Sequence, residues 1–71
     1  MLTNTIIKNI NGKEYKVLSV KGSYTLLEKV KGGYQPFIIV YDIKEFKDGY
    51  SWGNGYYYST LEDAMKIFNN K

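Results

Sequence analysis

Phe37-Ile38-Ile39-Val40-Tyr41 is the most apolar stretch of the chain, and its reading decides the fold. Side chains alternate across a strand, so Phe37, Ile39 and Tyr41 point one way while Ile38 and Val40 point the other. A strand that is apolar on both faces belongs in the middle of a sheet. Pro36 suits the start of such a strand, where its missing N–H does least harm. A central strand over residues 36–43 is the expectation.

Turn signals on either side divide the rest. Upstream, Asn11-Gly12 lies between two apolar-rich runs and marks a hairpin joining strands over about 5–10 and 13–20. Lys21-Gly22 and Lys31-Gly32-Gly33 bracket a third strand over about 23–30, rich in Tyr, Thr, Leu and Val. Downstream, Asp42 to Asn54 holds Phe46, Tyr50 and Trp52, with Asp48-Gly49 able to turn a long hairpin. Gly55-Tyr56-Tyr57-Tyr58 makes the last strand, over 55–58. A helix over about 60–69 follows. Leu61, Ala64, Met65 and Phe68 recur on one helical face, and Ser59 with Glu62 forms a capping box, with Thr60 and Asp63 as the alternative cap. The fold class is therefore α+β: one domain over 1–71, a single, strongly bent antiparallel sheet of four or five strands, and one C-terminal helix packed on one face.

This arrangement contains a mismatch. A helix of about ten residues is roughly 15 Å long and covers only part of one sheet face. One apolar set of the central strand is left without obvious cover. Either the sheet curls into a half-barrel, bending at glycines 12, 22, 32, 33, 53 and 55, or a second copy of the chain covers it as a homodimer.

Composition narrows the chemistry. The 71 residues include no Cys and no His, so disulfides, thiolate zinc sites and the usual general base are all missing. No apolar run is long enough to span a membrane, and Met1-Leu2-Thr3-Asn4 lacks the layout of a signal peptide, so the expectation is a cytoplasmic protein without membrane contact. Serines 19, 23, 51 and 59 have no His to activate them. Asp42, Glu45 and Asp48 lack the spacing of a calcium loop, and Lys44 and Lys47 neutralise them. Glycines form no phosphate-cradling motif. The sequence reads as a non-enzyme with no metal and no cofactor.

Charge is uneven. Residues 1–35 carry six Lys against Glu14 and Glu28, a balance of +4, while residues 36–71 carry four Lys against five acids, a balance of −1. Lys8, Lys13, Lys16, Lys21, Lys29 and Lys31 are the candidate phosphate contacts, although solvated lysines that block edge pairing are the plainer reading. The chain has no Arg, which removes bidentate guanine readout.

Aromatics are the surplus: eight Tyr, three Phe and Trp52 make 17% of the chain. Three consecutive tyrosines in a strand must alternate, so at least one ring of Tyr56, Tyr57 and Tyr58 faces outward. Such rings serve as stacking platforms or as protein-interface anchors. Trp52, flanked closely by Gly53 and Gly49, is costly to expose without a use, unless it folds back over an open sheet end.

The stretch Ser51-Trp52-Gly53-Asn54-Gly55-Tyr56-Tyr57-Tyr58-Ser59-Thr60-Leu61-Glu62-Asp63-Ala64 resembles a pattern in small proteins of phages and conjugative elements: a Trp-Gly turn, an aromatic strand and a capped helix. It also resembles the end of the three-stranded, one-helix DNA-binding domain at the start of tyrosine integrases. The first resemblance implies a small protein that occludes a surface of a host protein, as anti-CRISPR and other counter-defence inhibitors do. Its contact residues would be Tyr50, Trp52, Tyr56 and Tyr58, with Asp42, Glu45 and Asp48 available to a basic patch. The second implies a nucleic-acid-binding sheet that uses the six N-terminal lysines.

Overall fold

The computed structural model describes residues 3–71. A five-stranded sheet runs in the order β1-β2-β3-β4-β7, with every neighbouring pair antiparallel. Its strands are β1 (Ile6–Lys8), β2 (Glu14–Lys21), β3 (Tyr24–Lys29), β4 (Phe37–Tyr41) and β7 (Gly55–Tyr58). A separate two-stranded hairpin pairs β5 (Lys44–Phe46) with β6 (Gly49–Ser51), and α1 (Leu61–Phe68) ends the chain. The α+β class and the C-terminal helix on the sheet follow the sequence reading. No helix among the described residues is long and apolar enough to cross a membrane.

Local chemistry explains the elements. Gly12, at φ +94°, lets the chain turn from β1 into β2, and its amide donates to the Asn9 carbonyl at 2.8 Å. The β2–β3 turn has two residues, Gly22 and Ser23, between the paired Lys21 and Tyr24. Gly22 has φ +59°, which suits a hairpin turn whose first central residue must be left-handed. Helix α1 is capped by Thr60, whose Oγ1 accepts from the Asp63 amide at 3.2 Å. The favoured Ser59–Glu62 box is thus displaced by one residue to the alternative cap. Thr60 holds the extended backbone a cap requires.

β4 occupies the centre, as its two apolar faces demand. Ile38, Ile39 and Val40 are all fully buried, and two cores form around them. On the helix side Leu26, Ile39, Ala64 and Phe68 pack together, bordered by Leu18, Tyr24, Phe37, Tyr58 and Met65. On the other side Ile7, Tyr15, Val17, Leu27, Ile38 and Val40 pack together, bordered by Ile43, Tyr50 and Trp52. Each fully buried aliphatic side chain contributes about 1.5–3 kcal/mol.

The second core corrects one expectation. The face that lacked obvious cover is closed by the chain's own 42–54 segment, so neither a second copy nor sheet curling alone is needed to explain it. Asp42, in the left-handed region at φ 56°, ends β4, and its amide donates to the Ser23 carbonyl at 2.8 Å. The chain then turns back across the face, placing Ile43, Tyr50 and Trp52 on the core. The tip of this hairpin is Lys47-Asp48, since Phe46 pairs with Gly49, which therefore belongs to β6 and not to the turn.

Gly49 has a more demanding role. A Cβ there would lie 2.5 Å from the Lys8 carbonyl oxygen, and its φ is +139°. No other residue type permits β6 to come this close to β1. Next to it, the Ile10 amide donates to the Tyr50 carbonyl at 3.0 Å, and Asn9 and Tyr50 form a parallel bridge. The hairpin is anchored to the sheet edge by backbone.

Strand β2 carries an irregularity that no glycine marks in the sequence. Register shifts between Val17 and Ser19, so β2 carries a bulge at Leu18-Ser19, where no glycine stands. Bulges increase local twist. Gly12, Gly22, Gly32 and Gly33 instead take positive φ in the turns.

Candidate functional site

The structure divides the expected aromatic cluster among three places. Tyr50 and Trp52 lie half-buried on the hairpin-side core. Trp52 meets Tyr15 edge-on, with ring centroids 5.1 Å apart and planes at 83°. Burial, followed by the neighbouring Tyr57, pushes the Tyr15 phenol above its ordinary pKa. This ring pair is cover for the sheet, which is the folded-back alternative for Trp52. Tyr58 pairs across from Phe37 and packs on the helix-side core. As contact anchors, Tyr50, Trp52 and Tyr58 are therefore largely committed to the interior.

Tyr56 is different: it stays 53% exposed and forms part of an assembly the sequence reading missed. Tyr24 and Tyr41 face each other across β3 and β4, with ring centroids 5.2 Å apart. Tyr56 lies on the adjacent β7, paired with Ile39, so it shares the face of Tyr41 two residues away on β4. The Lys71 ammonium stands 4.8 Å from the Tyr24 ring centre and 5.7 Å from that of Tyr56. Lys21 closes this end of the sheet, its Nζ donating to the Asn69 carbonyl at 2.8 Å beyond the helix terminus. The cluster was legible in principle. A two-residue loop at Gly22-Ser23 makes Tyr24 the first paired residue of β3, and the next hairpin sets it opposite the end of β4.

Tyr41 also reaches a second feature. It lines a groove of about 320 Å³ together with Asp42, Lys44, Phe46, Trp52 and Asn54. Trp52 borders this groove from the hairpin side of the sheet, whereas the register sets Tyr24, Tyr41 and Tyr56 on the helix side. Asp42 faces Lys44 at 3.7 Å, and both are well exposed. Glu45 and Asp48 are exposed on the hairpin. The three acids do not converge on a metal-binding geometry, and no group of acidic side chains among the described residues does.

The six lysines do not form one track. Lys8 and Lys16 occupy register positions one residue out of phase with Ile7 and Tyr15, which places them on the helix-side face beyond the helix. Lys21 is bound to the helix terminus. Lys13, Lys29 and Lys31 do come together, around a concavity of about 430 Å³ that Tyr15, Gly12 and Gly32 also line.

No family model matches the chain, and neither the curated proteins nor the solved structures provide a match.

Proposed function

We propose that this protein is a non-catalytic binding module that covers a surface of a partner protein, with Tyr41 at the centre of the contact. The observation that carries this reading is the cluster formed by the exposed Tyr41 and Tyr56 with the half-buried Tyr24, where the Lys71 ammonium stands over the rings of Tyr24 and Tyr56. Tyrosines are rich in interface binding energy because they bury a large rigid ring while sacrificing few rotamers. Here the rings are already braced by one another and by an ammonium, so little ordering cost remains at contact. The edge of the groove carries both charges, Asp42 and Lys44, which suits a polar rim around an aromatic centre.

The absence of His and Cys from the sequence supports action by surface rather than by chemistry. The likeness of Ser51 to Ala64 to small phage and conjugative-element proteins supports a host protein as the partner and counter-defence of the anti-CRISPR kind as the setting. The contact surface differs from the one the sequence suggested: Tyr56 and Asp42 are kept, Tyr24 and Tyr41 are added, and Trp52 is left to the hairpin-side core.

The test is capture from a lysate of the cells in which the protein acts, with wild type and a Tyr41→Ser/Tyr56→Ser variant compared at equal folded concentration. A protein recovered by the wild type and lost by the variant supports the reading. Equal recovery by both removes the tyrosine cluster from the contact.

A further inference from the structure

A second surface is independent of the tyrosine cluster. The β2–β3 register sets Tyr15 opposite Lys29, and the Val30 amide donates to the Glu14 carbonyl at 3.2 Å. This pairing carries the Asn9–Lys13 turn and the turn that follows β3 to the same end of the sheet. Lys13, Lys29 and Lys31 are thereby gathered at one mouth.

Three lysines on one concavity concentrate positive charge there, and like charges repel one another. Among the described residues Lys44 and Asp42 form the one ion pair, so none of these three ammoniums has a carboxylate within ion-pair distance. Glu14 borders the concavity, but its register partner is Lys8, one residue out of phase with Tyr15 and Lys29. Lys29 is held in place, its Nζ 5.3 Å from the centre of the Tyr57 ring. A concavity lined mainly by charges of one sign focuses its field on a ligand of the opposite sign.

We propose that this concavity binds a phosphate group carried on a small organic body, with the Lys13, Lys29 and Lys31 ammoniums as its donors. The volume of about 430 Å³ is in the range of small-ligand sites and matches a mononucleotide better than a bare ion. Ammoniums are point-charge donors that hold phosphate without fork geometry, so the lack of Arg is no obstacle. Lys29 also reaches the exposed Tyr57 ring, which lies outside the lining of the concavity.

The experiment is an amide NMR titration of the ¹⁵N-labelled chain at about 50 mM salt, where phosphate contacts are strong. The probes are adenosine monophosphate, inorganic phosphate, adenosine and an oligothymidylate without terminal phosphates. The monophosphate is expected to shift the amides of Gly12, Lys13, Lys31 and Gly32 while adenosine leaves them in place. Lys13→Gln and Lys31→Gln should each weaken binding by about tenfold and leave the thermal midpoint unchanged or higher. Lys8→Gln, with the same loss of charge on the other face, should leave it unchanged. Stronger binding of the monophosphate than of the oligonucleotide marks a small ligand as the source of the phosphate; the reverse order marks a nucleic-acid backbone. No shifts with any phosphate, equal shifts around Lys8 and Lys16, or equal affinity of Lys13→Gln and Lys8→Gln would overturn the site.

Discussion

The two faces of the sheet are closed by different means. The helix side is covered by α1, whose apolar residues recur at helical spacing and whose first turn is capped by Thr60. The other side is covered by a short hairpin whose strands have only three residues each and whose docking depends on backbone. One cover is specified by a repeating pattern of side chains. The other is specified by a single missing side chain at Gly49, together with two aromatic rings.

Substitutions that strike each cover should separate the two. Phe68→Ala empties the helix-side core and should cost about 3–5 kcal/mol in urea denaturation, while Trp52 emission from the folded state stays as in the wild type. Gly49→Ala should cost about 2–4 kcal/mol, because the added carbon meets the Lys8 carbonyl and the backbone is left-handed. Unlike Phe68→Ala, it should shift folded-state Trp52 emission to the red by loosening the hairpin from Tyr15. Native Trp52 emission unchanged by Gly49→Ala would contradict the docking described.

Smaller effects sharpen the contrast. Thr60→Ala should cost about 1 kcal/mol and Ser59→Ala close to nothing, since the Thr60 hydroxyl carries the cap. The hairpin side has a pH signature. Its Tyr15 has a raised pKa, so the folded state holds the phenolic proton more tightly than the unfolded chain does. Stability from this source is complete below the ordinary tyrosine range and is lost as pH rises from about 10 toward the folded-state value. Tyr15→Phe should remove that alkaline loss, as denaturation midpoints compared at neutral and alkaline pH would reveal.

The same contrast explains what the sequence made legible. Strand β4 announced itself by its unbroken apolar run, the two N-terminal hairpins by glycine-bearing turns, and α1 by its spacing and cap. The aromatic-rich segment after β4 was recognised, and so was a hairpin within it. Its destination was not legible, because three-residue strands show no period and the approach of Gly49 to Lys8 is a long-range backbone event. From sequence Trp52 therefore reads either as an interface anchor or as a ring folded back over the sheet, and the structure half-buries it on the hairpin-side core. The place of Tyr24 is not legible in its own segment for a related reason: only the register of two successive hairpins brings it to Tyr41. The lysines were visible as a charge excess, but register alone decides that Lys13, Lys29 and Lys31 converge while Lys8 and Lys16 occupy the other face.

The aromatic surplus is divided: Trp52 and Tyr50 close the hairpin side of the fold, while Tyr24, Tyr41 and Tyr56 form the cluster proposed to meet a partner. The most direct test is the affinity of the Tyr41→Ser/Tyr56→Ser variant for the captured partner, measured alongside its thermal midpoint. The account predicts at least about a tenfold loss of affinity with a midpoint within about 3 °C of the wild type. Wild-type affinity in that variant would contradict it.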